Sequence, residues 1–541
     1  MKPFEWHNPY PSVRIPLFAR NIVSTSHPQA AQAGLRMLYQ GGNAVDAAIA
    51  AAAVITLVEP VSCGLGSDAF AIVWHDGKAH GLNASGHAPA AWSVDYFAGK
   101  YGRDANGLAQ APKRGVDAVT IPGVVAGWAA LHEKFGKLPF ADLMVPAIEI
   151  AERGYAVPPV VAHKWAAAVP ELKDQPGFAQ AFMPKGRAPR VGERFCLPGA
   201  AHTLRAIGQT GGKAMYEGEL AKRLVDFLGE HGGAHTMDDF ASFQAQWVEP
   251  VTKDYRGYTL HELPPNGQGI AALMAVGILE QFDLKALGVD SVAAQHLQIE
   301  AMKLAFADLY RYVADPQAMQ VSAEQLLDRD YLAARAKEID LTKATQFGPG
   351  VPDAGGTIYL SAADESGMMV SFIQSNYMGF GSGVVLPDAG VSLQNRGAGF
   401  SMDPASPNVV AGRKRPFHTI IPAFLSHEGR PVMSFGVMGG DMQPQGHLQT
   451  LVRMLDYDQQ PQAACCAPRW KVNHDFTLDV EATMDPAVVE GLKAMGHELK
   501  SIEDPYMDFG SGQFIWRLSE NLEDGYVAAS DSRRDGQAVG F

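Results

Sequence analysis

The chain has 541 residues, 47% hydrophobic and 19% charged, with 58 acidic against 44 basic side chains and a net charge of −14. That composition supports a large buried core and argues against a disordered chain. The acidic balance argues against a nucleic-acid partner, which calls for a basic face. Length alone suggests about three or four domains.

Residues 1–16 lack a basic stretch followed by an apolar one, so no secretory signal is expected and a soluble cytoplasmic protein with reduced thiols follows. Residues 30–57 read as two helical stretches broken at Gly41-Gly42-Asn43. The second is apolar nearly all round and should be buried, but it contains Asp46 and is too short to span a membrane. Residues 69–74 and 79–83 read as short strands joined at Asp76-Gly77. From 123 to about 345 the pattern is mainly helical, with helices expected at 124–135, 143–154, 201–210, 219–231, 269–282 and 292–312. Gly and Pro clusters such as Pro264-Pro265-Asn266-Gly267 punctuate them.

After Pro349 the pattern changes. Residues 357–362 and 368–375 alternate as strands around Asp364-Glu365-Ser366-Gly367, a hairpin signal. Further strands are expected at 431–437, 476–480, 513–518 and 526–529, and helices at 445–455 and 487–495. A Gly/Pro-rich segment, 346–356, separates the helix-rich first two-thirds from this mixed last third and ends in Gly356-Thr357 at a strand start.

That junction permits a specific chemistry. A threonine hydroxyl is a poor nucleophile until a base takes its proton. At a chain's N-terminus the free α-amine, with an ordinary pKa near about 8, is a built-in base held a few bonds away. The same hydroxyl can first attack the preceding carbonyl, and Gly356 leaves that carbonyl unhindered. Taken alone, Gly356-Thr357 also reads as an ordinary loop-to-strand boundary. Met438-Gly439-Gly440-Asp441 follows an apolar strand and precedes a helix, where two glycines can aim N–H groups at one point, as an oxyanion hole requires. A plain tight turn fits the same residues. Residues 374–383 are polar and Gly-rich directly after a strand, as pocket-lining loops are, or as an ordinary glycine loop is.

Other signals carry less. Gly64-Leu65-Gly66 lacks the third glycine of a dinucleotide fingerprint, and no P-loop, HExxH or GxSxG occurs. Cys63, Cys196, Cys465 and Cys466 show no CxxC spacing; adjacent Cys465 and Cys466 read as buried small hydrophobes rather than a redox pair. The seventeen histidines form no metal-spaced cluster, and His447 reads as a cap or packing residue. No metal and no cofactor are expected.

The order of these elements carries a resemblance. Gly41-Gly42-Asn43-Ala44-Val45-Asp46-Ala47-Ala48 is followed by Ile121-Pro122-Gly123-Val124-Val125-Ala126-Gly127 and Ala214-Met215-Tyr216-Glu217-Gly218-Glu219. Then come Glu300-Ala301-Met302-Lys303-Leu304-Ala305-Phe306-Ala307-Asp308, the Gly356-Thr357 junction, Lys414-Arg415-Pro416, Gly439-Gly440 and Ala529-Ser530-Asp531-Ser532-Arg533. From about Asn21 to Phe541 the chain resembles the γ-glutamyltransferase family of N-terminal nucleophile hydrolases. The resemblance implies an α+β, four-layer αββα sandwich. It implies self-cleavage between Gly356 and Thr357 into interlocked subunits, 1–356 and 357–541. It also implies that Thr357 is the nucleophile, Ser375 the hydroxyl supporting it, and Gly439 and Gly440 the oxyanion-hole glycines. An acyl-enzyme on Thr357 would then be released by water or an amine.

The departures lie where the family holds a glutamyl group. Ser85 stands in place of a carboxylate-binding arginine, Gly399 in place of an amine-binding acid, and His418-Thr419 in place of a Ser-Ser pair. Tyr377 replaces an asparagine and Arg396 a glutamine. The lost arginine and acid contacts are each worth on the order of 1.5–3 kcal/mol when desolvated, so glutamyl binding should fall by roughly a hundredfold or more. Arg396 instead offers a cation, with no acid in its own loop, to a substrate carboxylate; a salt bridge elsewhere in the fold is the other reading. The pattern resembles a divergent branch that includes oxamate amidohydrolases. The expectation is a small carboxylated amide as substrate, oxamate foremost. A γ-glutamyl compound, a cephalosporin-type acyl group and a non-catalytic role are the alternatives.

Overall fold

Alternating apolar residues build two seven-stranded antiparallel sheets in the computed structural model, which describes residues 14–347, 356–503 and 509–541. One sheet runs Gln537–Gly540, Ile22–Thr25, Gly356–Ala363, Met369–Tyr377, Asp68–His75, Lys78–Ala84, Gln246–Val248. The other runs Leu17–Ala19, Tyr526–Ser530, Ser511–Arg517, Arg430–Met438, Ala423–His427, Tyr258–Glu262, Val251–Tyr255. The sheets face each other across an apolar layer that includes Phe70, Ile72, Tyr359, Ile373, Phe424 and Ile515. Gly436 permits the close approach: a Cβ there would lie 2.4 Å from the Tyr359 ring.

Helices cover both outer faces. Ala44–Val58 packs with the first sheet in one core, and Gly269–Leu279 and Met442–Leu451 pack with the second in another. The result is the α+β, four-layer αββα sandwich that the resemblance implies. The three or four domains suggested by length do not form, because segments from both ends of the chain interleave in both sheets. Among the described residues no helix is long and apolar enough to cross a membrane.

Most expected elements form, with shifted ends. The expected 143–154 helix is Phe140–Arg153, and 445–455 becomes Met442–Leu451 continued by a π turn, Val452–Asp456. The stretch expected to be mainly helical also holds the hairpin Val251–Tyr255 and Tyr258–Glu262, turned at Arg256-Gly257. Its period-two pattern was present but short. Cys465 is buried as expected, whereas Cys466 is exposed, because successive helical residues point about 100° apart. Residues 348–355, most of the Gly/Pro-rich junction, and residues 1–13 lie outside the described residues.

The Ala44–Val58 helix is buried along its whole length, Asp46 included. Asp46 completes a capping box with Asn43 and also accepts from the backbone N–H groups of Lys137 and Leu138 at 3.1 Å each. Asp46→Ala removes the acceptor of three part-buried N–H groups, those of Asn43, Lys137 and Leu138. It should lower stability by about 3 kcal/mol, read by denaturant unfolding against wild type. An unchanged midpoint would show that these bonds contribute nothing net.

Candidate active site

Thr357 lies at the start of a central strand, where the ladder slips. Gly356 pairs with Tyr377, but Ile358 pairs with Gln374, so the register breaks across Thr357. The side chain is buried. Its Oγ1 donates to Ser375 Oγ at 3.5 Å, a long contact, and accepts from Gln443 Nε2 at 3.2 Å. Ser375 Oγ also accepts from Tyr377 N at 2.7 Å. The hydroxyl is therefore oriented from two sides.

The Gly439-Gly440 turn joins the Arg430–Met438 strand to the Met442–Leu451 helix. Both glycines have positive φ, 128° and 60°, which a Cβ would strain. Their carbonyls accept from Met442 N and Gln443 N, at 3.1 and 3.2 Å. Gln268 Nε2 donates both to Gly440 O (2.8 Å) and to Thr419 O (2.6 Å), tying this turn to the 418–421 loop.

Arg396 is buried, 1% exposed. Its Nη1 donates to Thr419 Oγ1 at 2.9 Å, and its guanidinium lies over the Tyr377 ring at 4.6 Å. Tyr377 adopts a positive φ of 78°, uncommon for a bulky residue, which presents its ring at this point. Among the described residues Nε and Nη2 of Arg396 have no hydrogen-bond partner. Burial brings the Arg396 pKa down to about 10, against which Asp68 and Tyr377 act in the opposite direction.

Asp68 was not foreseen as a site residue. It sits directly opposite Ser375 in the strand register. Its Oδ2 accepts from His418 Nε2 at 3.1 Å and its Oδ1 from Gly123 N at 3.2 Å. His418 Nδ1 accepts from Ile420 N at 3.3 Å, which leaves the ring proton on Nε2. Burial pushes Asp68 up to about 7, opposed by Arg396 and the Gly86 and Gly123 N–H groups. Burial, with Arg396 and Arg415 nearby, holds His418 well below the usual imidazole range. The acid absent from the loop of Arg396 is thus supplied by another strand. The sequence signal was Ser67-Asp68 entering an otherwise apolar strand, beside the Gly64-Leu65-Gly66 that drew attention first.

The remaining expected positions fall around this cluster. Ser85 is buried; its Oγ donates to Asn83 Oδ1 at 2.7 Å, and its carbonyl accepts from Arg415 Nε at 3.0 Å. At Gly399 a Cβ would lie 2.8 Å from Phe417 O, so the loop packs tightly where a side chain would be needed. His447 packs against Phe435, and its Nδ1 lies 2.7 Å from Glu262 Oε1 in the buried interior. Among the described residues folding does assemble one cluster of metal-ligand types that sequence spacing concealed: His296, Glu300 and His497. Their ring and carboxylate atoms are engaged with one another and with Lys303, whose Nζ donates to Glu300 Oε1 at 2.9 Å and to His497 Nδ1 at 3.3 Å.

Known proteins share this architecture. The gamma-glutamyltranspeptidase family model matches residues 30–541. The glutathione hydrolase-like YwrD proenzyme of Bacillus subtilis is 36% identical, covering 96% of this chain and 98% of its own. The oxamate amidohydrolase proenzyme of Klebsiella pneumoniae is also 36% identical, covering 95% and 97%. The crystal structure of a cephalosporin acylase from Bacillus halodurans superposes with a TM-score of 0.94 at 45% identity, covering 100% of this chain and 99% of that one. A hydroxyl poised at the head of a central strand, in an αββα sandwich matched over nearly its whole length, places this chain in the gamma-glutamyltranspeptidase family of amide hydrolases and transpeptidases.

Proposed function

We propose that the chain cuts itself between Gly356 and Thr357, giving subunits 1–356 and 357–541, and that Thr357 then hydrolyses a small amide bearing a carboxylate, oxamate foremost. The observation that carries this reading is Arg396: a buried guanidinium with two donor atoms unpartnered among the described residues, lying over Tyr377, whose N–H shares Ser375 Oγ with the Thr357 hydroxyl. Unpaired buried N–H groups are costly, and a carboxylate that accepts from them recovers that cost.

In self-cleavage Thr357 Oγ1 bonds to the Gly356 carbonyl carbon. The Gly356–Thr357 C–N bond breaks, the nitrogen takes up the hydroxyl proton, and water hydrolyses the resulting ester to a Gly356 carboxylate and a free hydroxyl. In turnover the new α-amine takes the Oγ1 proton and Oγ1 bonds to the substrate carbonyl. Ammonia leaves with that proton, and water cleaves the acyl ester to release the acid. Ser375 orients the hydroxyl, the N–H groups of Gly439 and Gly440 serve the oxyanion, and Arg396, Tyr377 and Thr419 hold the substrate carboxylate. His418 acts on substrate through Asp68.

Two relatives support this choice over a glutamyl substrate only in part. The oxamate amidohydrolase and the glutathione hydrolase-like proenzyme are equally similar, but Ser85 and Gly399 remove the usual glutamyl contacts. A second reading, an acylase for larger amides, is favoured by the 45% identity to the Bacillus halodurans structure.

Purified wild type should run as two bands of roughly 38 and 20 kDa, in proportion to 58.0 kDa over 541 residues, and Thr357→Ala as one. An active wild type that stays uncut would sink the proposal. An ammonia-release screen should show oxamate turned over faster than γ-glutamyl-p-nitroanilide or a cephalosporin-type amide, and Arg396→Gln should raise KM for oxamate about tenfold to a hundredfold. Above a pH of about 7 Asp68 ionises and competes with an anionic substrate for Arg396 and Arg415, while His418 stays neutral. KM for oxamate should therefore rise as pH is raised through about 7, and Asp68→Asn should flatten that rise; parallel profiles would refute the coupling.

A further inference from the structure

We infer that Gln443 is a further catalytic residue, whose side-chain amide donates to the Thr357 hydroxyl oxygen as that oxygen takes on and gives up negative charge. The inference rests on Thr357 being the nucleophile and adds a group that the family motifs above do not include.

Gln443 is fully buried, at the second residue of the Met442–Leu451 helix. Its amide cannot turn over without loss. Oε1 accepts from Ile421 N at 3.0 Å, which directs Nε2 at Thr357 Oγ1, 3.2 Å away. Its main-chain N–H is held by Gly440 O at 3.2 Å. One residue thus joins the nucleophile's strand and the loop that carries Thr419 through its side chain, and the Gly439-Gly440 turn through its main chain. A flipped amide would place two donors together at Ile421 N, so the orientation is determined by that partner.

The chemistry follows from the direction of the hydrogen bond. A hydroxyl that accepts from Gln443 and donates to Ser375 has its proton aimed at Ser375, away from the amide nitrogen of Gln443. When the proton leaves and Oγ1 attacks a carbonyl carbon, negative charge grows on an oxygen already receiving an N–H. In the ester that follows, Oγ1 accepts weakly. When water displaces it, Oγ1 departs as an alkoxide-like leaving group and the bond from Gln443 strengthens again, until the oxygen regains its proton. The donor is strongest in the charged states, which is the condition for lowering a barrier rather than merely binding a ground state. The same assistance applies to self-cleavage, where the carbonyl attacked is that of Gly356.

Gln443→Glu and Gln443→Met separate this role from packing. Both are compared with wild type and Thr357→Ala for the rate of band splitting, for kcat and KM on oxamate, and for thermal midpoint. Gln443→Met removes the donor at similar volume, and self-cleavage and kcat should fall about tenfold to a thousandfold with KM little changed. Gln443→Glu keeps the acceptor for Ile421 N but loses the donor when ionised. Its protonated carboxyl restores an O–H donor, so its self-cleavage rate relative to wild type should recover as pH is lowered. That recovery is a signature that a purely structural role does not produce, and it remains readable if Gln443→Met fails to fold. Wild-type rates in Gln443→Met, or a Gln443→Glu deficit that is constant with pH, would overturn the inference while Thr357→Ala stays uncut. If Thr357→Ala itself splits and turns over substrate, the nucleophile assignment fails instead.

Discussion

The register break between Gly356 and Ile358 governs the geometry around it. The strand it interrupts is central: it pairs with Ile22–Thr25 on one side and Met369–Tyr377 on the other, and packs through Tyr359 on the opposing sheet at Gly436. Such a strand cannot slide, because a slip of one residue would send its apolar face to the wrong side. The break is therefore held in place by the whole sandwich. It turns one hydroxyl out of the ladder towards Ser375 and Gln443. A site on a rigid element needs little ordering when a reactant arrives.

Interleaving of the chain has a second consequence. Both sheets mix strands from before residue 356 with strands from after it, and the last strand, Gln537–Gly540, pairs with Ile22–Thr25 near the beginning. Scission at the head of one central strand would leave these pairings in place, so the sandwich does not depend on continuity of the backbone there. The energetic weight rests on the three apolar layers, which take in Ile358, Tyr359 and Leu360 of this strand but draw most of their residues from elsewhere in the chain.

The buried charges show a different balance. Arg396 and Asp68 both pay for desolvation, and their ordinary values move towards each other: the arginine down to about 10, the carboxyl up to about 7. His418, neutral and with one ring nitrogen fixed by Ile420 N, donates to Asp68 but adds no counter-charge, which only Arg396 and Arg415 supply. Among the described residues, two donor atoms of the guanidinium remain without a hydrogen-bond partner. Elsewhere, Lys303 satisfies Glu300 and His497 within a closed set of hydrogen bonds, which accounts for the buried polar face of the motif-bearing helix Val292–Tyr312.

Much of this was legible in the sequence, and the limits have physical causes. The mostly apolar helix of residues 44–58, the hairpin around Asp364-Glu365-Ser366-Gly367 and the strand-to-helix turn at Gly439-Gly440 are local patterns, each set by residues a few positions apart. Ordered motifs carried the family, and with it the sandwich. Sequence also marked Arg396, Tyr377, His418 and Thr419, and folding brings Arg396 against Tyr377 and Thr419. What tertiary structure alone decided is which distant groups meet. Asp68 reaches His418 across 350 positions, and Gln443 reaches Thr357 across 86. No periodicity encodes such encounters, because they arise only when strand register and loop closure place two separate segments at hydrogen-bond distance. Sequence by itself determined the layers and where the Gly356-Thr357 junction stands; the tertiary structure decided which charges and donors surround the Thr357 hydroxyl.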